Sequence, residues 1–211
     1  MTFTLPDINC NICNRLCEFR NQNKQKYPTY YNGPVEPFGN LDAEILVVGL
    51  APGLHGANQT GRPFTNDYAG DILYPALKKF GFASGEYKKV RNDGFELKNV
   101  RITNAVRCVP PLNKPETQEE KNCRNFLKEE ISAMKNLKII LSLGTISHKN
   151  VLSALDLKQS FAKFNHGSIH LLPINNIKLI DSYHTSRYNI NTGVLTEAMF
   201  DEIIKTIKEI L

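Results

Sequence analysis

The chain has 211 residues, of which 41% are hydrophobic and 22% charged, with a net charge of +5. That composition is ordinary globular and supplies a real core, while no run approaches the roughly 18 apolar residues of a membrane helix. The first residues, Met-Thr-Phe-Thr-Leu-Pro-Asp, lack the basic-then-apolar pattern of a secretory leader, so a cytosolic chain is expected. The positive charge suits a polyanionic partner without demanding one.

Residues 1–44 come first, and they place Cys10, Cys13 and Cys17 among polar and basic residues. Pro28, Pro34 and Pro37 then make an irregular lead-in, so the spacing predicts a short turn or helix followed by a wrapping segment. Ile45 to Leu50 is an uninterrupted β-branched-rich run, the pattern of a strand buried on both faces. Gly49, Pro52, Gly53, Gly56 and Gly61 break periodic structure after it, with His55, Arg62 and Phe64 between or just beyond them. Such a loop at the end of a buried strand is where open α/β sheets place ligands.

Asp71 to Phe80 reads as a helix ended by Gly81, and 84–99 as a polar stretch. Val100 to Val106 is a second strand with Asn104 near its end. Thr117-Gln118-Glu119-Glu120 is a capping-box sequence opening a helix. Leu137 to Leu143 is a third strand, and 146–155 a short helix. Residues 160–173 suggest an edge hairpin, 177–183 is a fourth strand, and Leu195, Met199, Ile203 and Ile207 mark one face of a closing helix. Alternating helices and buried-type strands predict a parallel sheet covered on both sides. Crossover connections put the ends of parallel strands on one edge, so the Leu50 loop, Asn104 and His184 are expected to converge.

The cysteines form a second group. Cys10-x-x-Cys13 has the spacing with which one turn presents two thiolates to a metal, and Cys108 and Cys123 lie far along the chain. On spacing alone, zinc and an iron–sulfur cluster fit equally. Disulfides are not expected in a cytosolic chain.

Four segments carry a family likeness. Gly49-Leu-Ala-Pro-Gly-Leu-His-Gly-Ala-Asn, Thr60-Gly-Arg-Pro-Phe-Thr, Ile102-Thr-Asn-Ala-Val-Arg-Cys-Val-Pro-Pro and Asp181-Ser-Tyr-His-Thr-Ser-Arg-Tyr-Asn, in that order, resemble the uracil-DNA glycosylase superfamily, above all its type 5 iron–sulfur branch. The resemblance implies a single α/β domain over 1–211, an α/β/α sandwich around a four-stranded parallel sheet, with residues 1–44 as a wrapping segment. It implies that Cys10, Cys13, Cys108 and Cys123 hold a four-iron four-sulfur cluster in preference to zinc, with Cys17 a free thiol outside that pattern. The implied activity is base excision repair: a monomer acting on uracil-containing DNA at the nucleoid, with no membrane partner, hydrolysing the N-glycosidic bond of uracil and, as in some type 5 relatives, of hypoxanthine or modified uracils.

The same resemblance assigns roles. His184 stabilises negative charge developing on the base, Asn104 reads its edge and Phe64 stacks on it. Gly49, Leu50, Ala51, Gly53 and His55 belong to the loop around the substrate, and Arg187 to a duplex-inserting loop. Thr185 stands where the family usually has proline. The first motif lacks the acid that orients water in the best-known members, which leaves Asp67 and Asp71 as candidates. The alternative reading is a catalytically idle iron–sulfur DNA-binding protein of the same fold. A redox or interaction module is a further rival.

Overall fold

A strand with apolar side chains on both faces needs cover above and below and hydrogen-bond partners along both edges. The computed structural model describes residues 3–211, and residues 1 and 2 of the expected 1–211 domain lie outside them. In chain order the elements are α1 (Asn14–Lys26), β1 (Ile45–Gly49), α2 (Ala57–Thr60), α3 (Tyr68–Lys79), β2 (Ala83–Ser84), β3 (Glu96–Leu97) and β4 (Val100–Asn104). They continue with α4 (Thr117–Ala133), β5 (Ile139–Leu143), α5 (Thr145–Ala154), β6 (Ile169–Leu171), β7 (Lys178–Ser182), α6 (Arg187–Asn191) and α7 (Glu197–Ile210). The main sheet has the order β4-β1-β5-β7-β6. Its first four strands are parallel, and β6 pairs antiparallel with β7.

The alternation along β1 explains the two layers. Ile45 and Val47 point into a core with Leu73 and Leu77 of α3 and Phe200 and Ile204 of α7. Leu46 and Val48 point into a second core with Leu127 and Ile131 of α4 and Val151 and Leu152 of α5. Each such side chain contributes about 1.5–3 kcal/mol relative to exposure.

Three expectations change in detail. The sheet has five strands, not four: residues 169–171 cap the edge of β7, and the hairpin expected within 160–173 forms between β6 and β7 instead. β6 is short, and its alternation runs against burial: Ile169 and Leu171 are exposed while His170 between them is half-buried. α3 begins at Tyr68, earlier than the expected Asp71, because Asp67 is its extended N-cap. The capping box of α4 uses Glu116, whose N–H donates to Glu119 Oε2 at 2.7 Å, and not Thr117.

Val35 N–H donates to Arg107 O, and Phe38 exchanges backbone hydrogen bonds with Ile102, so residues 35–38 cover the outer edge of β4. Register pairs Gly49 with Asn104 and Leu143 with Ser182, so the four parallel strands end on one edge. The loops after β1 and β5 leave in opposite directions there, which opens a crevice.

Candidate active site

A cavity of about 480 Å³ opens at this crevice. Leu50, Ala51 and Gly53 of the loop after β1 line it, with Phe64, Asp67, Asn104, His184 and Arg187. Gly49, expected to touch the substrate, is not among the lining residues but packs behind two of them: a Cβ there would collide with Asn104 Oδ1 and with the Phe64 ring. Only glycine lets the amide of β4 and this aromatic ring press on the end of β1 together. Phe64 sits at φ +55°, a conformation costing a residue with a side chain about 1 kcal/mol. Its ring lies 6.2 Å from that of His184, inclined by 26°. Leu50, Phe64, Asn104 and His184 therefore line one cavity.

His184 faces the cavity and is otherwise enclosed. Burial pushes its pKa down to about 4, so the imidazole is neutral near neutral pH. Its backbone is held from both sides: Asn189 Nδ2 donates to His184 O at 2.8 Å, and the Thr185 hydroxyl to Ala69 O at 3.2 Å. Thr185, in place of the expected proline, thus ties this loop to α3.

The two acids separate. Asp67 lies in the cavity against Gly53 and Gly56, where a Cβ on either glycine would strike its carboxylate. Its Oδ2 accepts the Ala57 N–H at 3.0 Å. Burial raises its pKa above the usual carboxylate value, opposed by the N–H donors of Ala57 and Gly53. Asp71 does not line the cavity; Lys89 Nζ donates to its Oδ2 at 2.8 Å. His55 also stands outside the lining, with Tyr30 Oη 3.1 Å from its Nδ1 and the Tyr27 ring edge-on at 5.3 Å. Arg187 is at the rim, its guanidinium 5.2 Å from the Tyr68 ring.

Tyr68, Asn113 and Ser186 line the cavity too and were not anticipated. Asn113 follows Pro110-Pro111, which mark only the end of a strand in the sequence. Arg62 of the second motif is buried away from the cavity, bonded to both oxygens of Asp93 at 2.8 Å and stacked on Phe38. It pins the far end of the glycine-rich loop to the 87–95 segment.

Cys10, Cys13, Cys108 and Cys123 line a second, tight pocket of about 20 Å³ between α1, the end of β4 and α4. Cys17 lines it as well, its thiol donating to Cys10 O at 3.2 Å. Burial raises the Cys108 thiol to about 12 and the Cys123 thiol to about 11, with neighbouring cysteines adding to both. Donors face several sulfurs: Arg107 N–H to Cys123 and Asn122 Nδ2 to Cys13, both at 3.4 Å, and Arg20 Nη1 to Cys108 at 3.8 Å.

Two observations test what this pocket suits. Among the described residues no three cysteine sulfurs lie within 4.8 Å of one another, whereas one tetrahedral metal at about 2.3 Å would gather them to about 3.8 Å. Arg20 Nε, Arg107 Nε and Arg107 Nη1 are buried without partners. Guanidinium groups with unspent donors beside clustered thiols suit a group that is anionic once the thiols ionise. The donor set fits a metal–thiolate centre that carries negative charge.

The profile of the uracil DNA glycosylase superfamily matches residues 36–208. A type-5 uracil-DNA glycosylase of Pyrobaculum aerophilum is 38% identical over 202 residues, covering 94% of this chain and 87% of the relative. One from Thermus thermophilus is 38% identical over 206 residues, 95% of this chain and 93% of the relative. A third, from Mycobacterium leprae, is 33% identical over 220 residues, 98% and 96% of the two chains.

Proposed function

The chain belongs to the uracil-DNA glycosylase superfamily, and on that premise we propose that it excises uracil from DNA, hydrolysing the N-glycosidic bond and leaving an abasic site. One observation carries the reading: Phe64, Asn104 and His184 line one cavity at the parallel-strand edge. A base inside a duplex is out of reach, so the nucleotide must be extruded at a cost of a few kcal/mol. The extruded ring stacks on Phe64. The Asn104 carboxamide, which both donates and accepts, reads the base edge, and backbone N–H groups of 50–53 meet its carbonyls.

As the bond breaks the base takes negative charge and the sugar becomes cation-like. Neutral His184 donates a hydrogen bond to the developing oxyanion, an effect typically worth about 3–4 kcal/mol per donor. Asp67 orients the attacking water. The first motif has no carboxylate, the feature behind the idle-binder reading, but Asp67 brings one to the cavity from the far side of the same loop, which favours hydrolysis.

In this reading the whole chain is one glycosylase domain, and its N-terminal segment supplies two of four thiolates. Cys10, Cys13, Cys108 and Cys123 hold a four-iron four-sulfur cluster, which supplies a structural cross-link and no electron transfer to the reaction. Cys17 is the extra thiol of that pocket.

The test is a set of oligonucleotides carrying uracil, hypoxanthine or hydroxymethyluracil, incubated with the protein and then cleaved with alkali. Strand breaks at uracil are expected. Binding to uracil-containing DNA without any alkali-labile site would return the idle reading. The hypoxanthine and hydroxymethyluracil arms define the width of the pocket.

A further inference from the structure

Three of the five histidines gather on residues 181–183, the strand end that leads to His184. His166 is spent there: its Nδ1 accepts the Tyr183 N–H at 3.2 Å, and its ring stacks on that tyrosine at 4.9 Å. The other two meet a carboxylate. His148 of α5 places Nδ1 2.7 Å from Asp181 Oδ1, and His170 of β6 places Nε2 3.1 Å from Asp181 Oδ2. Ser142 of β5 donates its hydroxyl to the same Oδ1 at 2.7 Å. Side chains from three other elements thus converge on one acid of β7.

That acid is fully buried and has no lysine or arginine partner among the described residues. A carboxylate withdrawn from water needs positive charge beside it. The His148 ring indicates the source. Its Nε2 lies 3.0 Å from Ala162 O, and a carbonyl only accepts, so the proton of a neutral ring belongs on Nε2. Nδ1 then turns a lone pair toward the carboxylate, a repulsive pairing unless a cation stands between them. Metal-bound histidines are oriented in this way, with the second nitrogen donating to a backbone carbonyl. One donor atom each from His148, His170 and Asp181 lies within 4.8 Å of the other two, and nitrogen and oxygen ligands of a tetrahedral zinc stand about 3.3 Å apart. Two imidazoles and a carboxylate suit zinc and its neighbours better than magnesium or calcium. Entry is open as well: the His170 side chain keeps 19% exposure, and a cavity of about 290 Å³ reaches His148.

We propose that His148, His170 and Asp181 bind a zinc-type divalent ion, with water as the fourth ligand, at a site separate from the cysteine pocket. The ion ties the edge strand β6 and helix α5 to β7 three residues before His184. Nothing in this depends on glycosylase chemistry, so the site stands or falls apart from that reading. The rival source of charge is a second proton on His148: burial opposes it, but the Asp181 carboxylate raises the pKa on balance. A proton there makes stability fall as pH rises through the raised value, with no response to metal.

Zinc and cobalt are titrated into the protein with its cysteine centre loaded, alongside His170→Ala, which removes a half-buried side chain from a sheet edge. Wild type should take up one equivalent more than the variant, its cobalt form showing weak visible d–d bands and no thiolate charge-transfer band. With zinc at a hundredfold excess over its Kd, the wild-type melting temperature should rise by about 5–10 °C, and that of His170→Ala should not move. The cobalt spectrum is read on wild type, so it decides even if the variant is unstable. Uptake at thiolates alone, equal uptake by the variant, or a melting temperature that answers to pH and not to metal overturns the site.

Discussion

In the proposed mechanism His184 acts as a donor, not as an acid. With its pKa pushed down to about 4 by burial, the ring is neutral near neutral pH and keeps one N–H able to donate. The single-turnover rate should show no titration near the ordinary histidine value of 6.5. His184→Ala should cost about 10²–10³ in that rate while filter binding to uracil-containing DNA persists. Asp67 has the opposite shift. Its pKa is raised, so it protonates earlier than an ordinary carboxylate as pH falls, and the rate should fall with it. Asp67→Asn should lose about tenfold or more and its acid limb, without losing stability, because an amide oxygen still accepts the Ala57 N–H. Asp71→Asn should keep the wild-type rate, since that side chain faces Lys89. Equal, undiminished rates in both variants would leave neither acid with a chemical role. From sequence the two acids were indistinguishable: both lie at a helix start, and only the packing of Gly53 and Gly56 against Asp67 selects one.

The elements differ in how they are held. α3 and α7 dock through stripes of Ile, Leu and Phe, and those stripes are readable as periodicity. α1 buries Leu16, Arg20 and Asn23 alone, too little apolar surface to dock a helix of its length. Its attachment therefore falls to the cysteine pocket and to the Arg15–Glu119 pair. Chelation of iron should make residues 1–44 protease-sensitive while far-UV dichroism of the sheet persists. Mass spectrometry of the fragments checks this, and unchanged protection would remove the staple role. β6 misleads for a related reason: its apolar residues, Ile169 and Leu171, are the exposed ones, while the covered side chain is His170, held by the buried Asp181.

At the scale of the whole molecule, the net charge of +5, the rim residue Arg187 and the edge cavity agree with a DNA partner. A groove of about 630 Å³ at the opposite end of the sheet, by Glu44, Lys138 and Ile177, holds none of the candidate groups. The sequence by itself determined the parallel α/β core, because uninterrupted apolar strands alternating with amphipathic helices have few other ways to bury themselves. It also determined the family, through four ordered motifs, and the residues at three strand ends. Only the tertiary structure decided that Phe64 and Asn104 meet over Gly49, that Asp67 and not Asp71 or His55 reaches the cavity, and that Cys17 joins the other four cysteines. Periodicity reports which face of an element is apolar. Where a loop side chain points, and which distant one it meets, is set by strand order, crossover direction and close packing between segments far apart in the chain.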